Sequence, residues 1–174
     1  TENLLDAFLE AGKVAKEILK TKKFTSLNAQ INASNIGFHT LDKYYGLNSV
    51  IINENELRHE LRDNLTEITL LAKKLLKNKK IKNLIVTRGK EGAILINQKL
   101  KSFSCPAFAK KTVDKVGAGD AMLSIASLGF KINLDPNLIL FLGSIAAAIS
   151  VENLGNKENI TYSKLSRIID YMLK

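Results

Sequence analysis

The segment "VDKVGAGDAM", residues 113–122, sets a carboxylate directly behind two glycines and ahead of the apolar run "AMLSIASLGF". That run reads as a buried helix, so the glycines fall at its N-terminus. Backbone N–H groups there lack helical partners, and the positive end of the dipole emerges. Glycine lets such a backbone approach an anion with no side chain between them. Gly117, Ala118 and Gly119 can therefore present N–H groups to a negatively charged oxygen, and Asp120 in the first turn can take a proton from a nearby nucleophile. An anion cradle beside a base is the apparatus of phosphoryl transfer to a hydroxyl. The same residues also describe a tight turn with Asp120 capping the helix.

Other chemistries find less support. No G-x-x-x-x-G-K-[ST] phosphate loop occurs, and the G-x-G-x-x-G dinucleotide fingerprint is absent. His39 and His59 are isolated, with no Cys/His spacing for zinc; His59 reads as a solvated helix position. The single cysteine, Cys105, cannot form an internal disulfide, and the first twelve residues carry acidic groups and no basic one, unlike a signal peptide. A cytoplasmic protein is therefore expected, in which the N-x-[ST] triplets at Asn32, Asn64 and Asn159 are chance matches. The net charge of +9 could attract nucleic acid or phosphorylated small molecules. Lysine outnumbers arginine and few aromatics are interleaved, so nucleic acid is the weaker reading. No apolar run reaches 18 residues, so no membrane span is expected.

These groups need elements to hold them. Residues 2–20 have helical apolar spacing, 24–28 fit a short strand, and 35–45 fit a helix closed by Gly46. "NSVIIN" (48–53) is a compact β-branched run, a buried strand, and two helices follow over 54–63 and 65–78, the second starting near Thr66 and Glu67. "NLIVT" (83–87) is a strand, "RGKEG" a turn, "AILIN" (93–97) a strand, and 99–105 its hairpin partner. Asp135 as N-cap and Pro136 at the first helical position open a long apolar helix ending at Gly155. An amphipathic helix closes the chain. Strands alternating with helices predict a single α/β domain over 1–174, a mostly parallel sheet covered on both faces. Ligands bind such sheets off the carboxyl ends of the strands, and both glycine-bearing segments follow a strand or strand pair.

The glycine segment resembles the signature of ribokinase-like (PfkB-type) carbohydrate kinases, D-T-x-G-A-G-D, here "DKVGAGD" (114–120). Two further segments resemble that family in the same order: "NENE" (53–56), like its N-x-x-E motif, and "VTRGKEG" (86–92), like its T-x-G-x-x-G segment. The resemblance runs from about residue 48 to the end and covers only the back half of such a kinase. It implies a three-layer αβα, Rossmann-like ribokinase-type fold, of which this chain is the C-terminal part. By the same resemblance, Asp120 is the base that deprotonates a sugar hydroxyl, and Gly117, Ala118 and Gly119 form the anion hole. Thr87, Gly89 and Gly92 belong to the nucleotide phosphate site, or else Thr87 to Gly89 is an ordinary turn. Small residues at Ala147 and Ala148 leave room for adenine, although helix packing explains them equally. Asn53 and Glu56 organise Mg²⁺ and its waters, as amide and carboxylate oxygens suit that hard cation, or else they are a strand-end turn and a helix-surface charge.

ATP, Mg²⁺ and a sugar substrate are thus implied. Lys115 and Val116 replace the usual threonines, which removes hydroxyl contacts and bears on any monovalent-cation site near Asp114. The asparagine-rich stretch around Asn28, Gln30, Asn32 and Asn35 is similar to the branch near heptose-phosphate kinases, some fused to a nucleotidyltransferase. Without the N-terminal sugar-binding and lid half, the isolated chain is expected to be inactive; a homodimer is a candidate assembly. The alternative is a non-catalytic, degenerate kinase module for nucleotide sensing or domain assembly.

Overall fold

The computed structural model describes residues 17, 20–21, 23–29, 41–109, 117–152 and 161–172. The helix expected over 2–20, most of the asparagine-rich stretch, the segment bearing Asp114, Lys115 and Val116, and the stop at Gly155 lie outside the described residues or nearly so.

One five-stranded sheet runs in the order β1 (Ser26–Asn28), β2 (Ser49–Asn53), β3 (Asn83–Thr87), β4 (Ala93–Asn97), β5 (Ser102–Cys105). The first two pairings are parallel. The last two are antiparallel, because short turns join β3 to β4 and β4 to β5, and a short connection can only return the chain antiparallel. The sheet is therefore mixed rather than mostly parallel as expected, because the hairpin over 93–105 that the sequence predicts adds two antiparallel pairings to the two parallel ones. The helices are α1 (Glu54–Leu61), α2 (Ile68–Lys79), α3 (Ala118–Lys131), α4 (Pro136–Val151) and α5 (Tyr162–Met172).

Strand alternation sorts the apolar residues into two cores. Val50, Ile52, Leu84, Val86, Ile94 and Ile96 face α1 and α2, where Leu57, Leu71 and Leu75 meet them. Ile51, Ile85 and Leu95 face the other way, toward Met122, Ala126 and Phe130 of α3 and Ile139 and Leu140 of α4. Both faces of the sheet are covered, which is why these strands read as continuous apolar runs. Full burial of each such side chain contributes about 1.5–3 kcal/mol. The result is a three-layer αβα arrangement.

Local chemistry sets the helix ends. Asp135 caps α4 by accepting from the N–H groups of Asn137 and Leu138, with Pro136 next in line. Glu67 does the same for α2 through Thr69 and Leu70. Glycine lets α3 and α4 approach closely: a Cβ on Gly129 would stand 2.8 Å from Ile139. The helix expected to run to Tyr45 does not do so. Residues 41–45 are turn and coil, because the chain bends to bury Leu41 and Leu47, both 1% exposed. No described helix is long and apolar enough to cross a membrane.

Candidate functional site

The parallel register sets three polar residues along the carboxyl edge of the sheet. Asn53 ends β2 and lies opposite Thr87, which ends β3. Asn28 ends β1, opposite Ile51. The N-terminus of α3 comes to the same edge, since the Nδ2 of Asn28 donates to Oδ1 of Asp120 at 2.8 Å. Asn28 and Asp120 are 92 positions apart in sequence.

Gly117 is the N-cap of α3 with φ 84, a left-handed conformation that glycine adopts without strain. The first helical bond runs from the N–H of Ala121 to the carbonyl of Gly117 at 2.9 Å. The N–H groups ahead of it are the orphans of a helix start, and among the described residues no side chain caps them. Asp120 therefore does not serve as the helix cap. Its exposed carboxylate is engaged by Asn28 instead.

Asn53 and Glu56 form a capping box at α1. The Glu56 N–H donates to Asn53 Oδ1 at 2.9 Å, and the Asn53 N–H donates to Glu56 Oε2 at 2.8 Å. Glu56 is accordingly buried, not a surface charge, while Asn53 is exposed. Among the described residues no group of three or more His, Cys, Asp or Glu could cage a metal. A cation at this edge would keep much of its coordination from water and phosphate oxygens, the usual habit of Mg²⁺, and the amide and carboxylate pair fits that role.

Thr87 leads into a short 3₁₀ turn, Gly89–Glu91. Gly89 has φ +56 and open space where a Cβ would stand. Gly92 differs: with φ +84, its missing Cβ would lie 2.0 Å from the Cys105 carbonyl oxygen. Gly92 thus shapes the turn against the end of β5. Ala147 packs onto the core beneath α4, and Ala148 is half-buried beside it. Cys105 is buried, and that burial pushes its thiol up despite the offsetting influence of Ser144.

Sequence reasoning missed an ion network on this edge. Glu54 Oε1 accepts from Arg58 Nε at 3.0 Å and Nη2 at 2.8 Å, and its Oε2 accepts from Arg88 Nε at 3.1 Å. Arg88 also pairs with Glu91. The i,i+4 spacing of Glu54 and Arg58 was a signal; the Arg88 link appears only once β2 and β3 are paired. Burial alone would raise the Glu54 carboxyl, but hydrogen bonds from Arg58 and Arg88, with their charges, hold it below its ordinary 4.5. A carboxyl depressed by folding stabilises fully above its unfolded value and loses that contribution as pH falls through the folded value. Glu54→Gln is expected to remove about 1 kcal/mol or less at neutral pH, since the pair is partly solvated, and to flatten the loss of stability below pH 4.5. Urea midpoints followed down the acid limb check this; identical acid slopes in the two proteins would refute it.

A groove of about 600 Å³ opens at the opposite edge of the sheet, beside Asn48, Asn83 and Lys131 at the amino ends of β2 and β3 and the end of α3. It is lined by none of the residues discussed above as site candidates.

A family model for pfkB family carbohydrate kinases matches residues 9–161. The "Bifunctional protein HldE" of Koribacter versatilis is 26% identical over 159 residues, covering 90% of this chain and 32% of that protein. An "Uncharacterized sugar kinase" of Buchnera aphidicola is 25% identical over 157 residues, 89% of this chain and 49% of that one. Among solved structures, Escherichia coli phosphofructokinase-2 in complex with substrates and products superposes with TM-score 0.77 at 17% identity, over 95% of this chain and 52% of that chain. Thermotoga maritima ribokinase gives TM-score 0.62 at 28% identity, over 71% and 42%. The chain thus spans half or less of these curated relatives, and the fold is that of the ribokinase-like αβα proteins.

Proposed function

Because the chain belongs to the pfkB family of carbohydrate kinases, we propose that it supplies the ATP site and the catalytic base of a full-length enzyme that phosphorylates a sugar or sugar-phosphate hydroxyl. The observation that carries this reading is the pairing of an uncapped, glycine-opened helix N-terminus with an exposed carboxylate, Asp120, at the edge where Thr87 ends its strand. Asp120 takes the hydroxyl proton as the sugar oxygen bonds to the γ-phosphorus of ATP. The bond from that phosphorus to the β–γ bridging oxygen breaks, and ADP leaves. The N–H groups of Gly117, Ala118 and Gly119 hold the equatorial oxygens while charge redistributes. Thr87 and Gly89 bind the nucleotide phosphates, Gly92 keeps their turn in shape, and Ala147 and Ala148 leave space for adenine.

Asn53 and Glu56 would hold Mg²⁺ through its waters. The ion, when bound, neutralises phosphate charge. The resemblance to the branch near heptose-phosphate kinases, beside the relative named as a bifunctional protein, supports a substrate of the heptose-phosphate kind and a nucleotidyltransferase domain as partner. A degenerate, non-catalytic module would need no base at Asp120.

Titrating the full-length protein with ADP or ATP should shift the amide resonances of residues 87–89 and 117–119 together. Shifts confined to the lysine-rich stretch 77–82 would show plain charge attraction and overturn the nucleotide site.

A further inference from the structure

Asn28 has no part in the mechanism above, yet among the described residues its side chain hydrogen-bonds Asp120. Its backbone is fixed: β1 pairs in parallel with β2, and the next residue's N–H, on Ala29, donates to the Ile51 carbonyl at 2.8 Å. From there its carboxamide meets Asp120 Oδ1 at 2.8 Å. A carboxylate only accepts, so the amide nitrogen must be the atom facing it. A second observation is steric. A Cβ on Gly119 would lie 2.8 Å from the Asn28 Nδ2 and 2.9 Å from its Oδ1. The missing side chain of Gly119 therefore makes the room in which this carboxamide sits.

We propose that Asn28 is a positioning residue for Asp120: it holds the carboxylate in one rotamer through Oδ1 and leaves Oδ2 to receive the hydroxyl proton. An exposed aspartate on a first helical turn otherwise samples several rotamers, and proton transfer demands one geometry. Gly119 thereby acquires a second role beside presenting its N–H. This inference rests on the reading of Asp120 as the base.

The test is a double-mutant cycle in the full-length protein with ATP and a panel of ribose, fructose 6-phosphate and a heptose phosphate as acceptors. Asn28→Asp keeps the shape and removes the donor, and Asn28→Ala removes both. Each is expected to lower kcat about 10–100-fold, within the range of coupling between contacting residues, with the KM for ATP within about threefold and thermal midpoints close to wild type. In an Asp120→Asn background, either Asn28 change should cost less than about threefold more, because its effect runs through the lost base. Without any acceptor, Asp120→Asn should also shift the Asn28 side-chain amide resonances, which keeps the contact testable should the alanine variant fold poorly.

Asn28→Asp at wild-type turnover, with Asp120→Asn slow, overturns this proposal alone. Multiplicative losses in the double variant overturn it too, and make Asn28 an independent contact. An unchanged Asn28 amide resonance removes the contact itself. Asp120→Asn at wild-type turnover overturns the underlying assignment of the base.

Discussion

Asp120→Asn in the full-length protein is expected to lower kcat by about 10²–10⁴-fold, the usual worth of a positioned general base. The change is nearly isosteric. The new carbonyl can still accept from Asn28, and α3 has no side-chain cap to lose. The amide cannot take a proton at neutral pH, so deprotonation of the sugar hydroxyl loses its acceptor. Removing a negative charge from the first turn weakens the match to the helix dipole by about 0.3–1 kcal/mol, so the variant should fold. ATP affinity is expected to change by less than about tenfold, roughly 1.4 kcal/mol, because in the proposed site the phosphates would contact backbone and Thr87 rather than this carboxylate. Steady-state kinetics with a nucleotide titration decide it. Near-wild-type turnover would return the glycine segment to a structural turn and favour the non-catalytic module. Loss of ATP binding would give Asp120 a role in holding the loop.

Gly92→Ala is the substitution with the largest expected effect on folding. With φ 84 and ψ −133, Gly92 occupies a region essentially reserved for glycine, and a side chain there is strained by about 1–3 kcal/mol. The added Cβ would also stand 2.0 Å from the Cys105 oxygen, 2.7 Å from the Pro106 carbonyl carbon and 2.8 Å from the Ala107 nitrogen. These are backbone atoms, which no rotamer change can clear. The turn cannot simply open, since the Gly92 carbonyl accepts from the Arg88 N–H at 2.8 Å and its own N–H reaches the Gly89 carbonyl at 3.1 Å. A loss of about 3 kcal/mol or more is expected, a fall in Tm of roughly 6–12 °C for a domain of this size. Gly89→Ala provides the contrast: its φ is +56 but its Cβ would meet open space, so about 1–2 kcal/mol is expected. Gly92→Ala melting within about 2 °C of wild type would refute the packing role.

The contrast between these two glycines shows how far the sequence reaches. "NLIVT" and "AILIN" are legible as strands at their observed bounds because β-branched runs between polar ends have one stable use in a two-sided sheet. Asp135 and Pro136 announce the start of α4 because capping is local chemistry among adjacent residues. The glycines before Asp120 likewise mark a helix N-terminus, which follows from backbone permissiveness alone. All of these depend on interactions within a few positions of the chain.

Relations across the sheet are of another kind. That Gly92 is fixed by the end of β5 while Gly89 is open cannot be read from "RGKEG", because the deciding atoms belong to residues 105–107. Glu56 can be read from sequence as a helix-surface charge until the capping box turns it inward. Glu54 joins Arg88 only when β2 and β3 pair in parallel. Asn28, one of several asparagines in a polar stretch, becomes distinct from its neighbours when β1 delivers it to Asp120. The sequence by itself determined the strands β2 to β4, the helices that follow them and the cap of α4, since each rests on local backbone preference and side-chain type. Tertiary structure decided which carboxylate is held, by what donor and at which strand end, since those contacts exist only where parallel pairing and helix packing bring distant residues within a few ångströms.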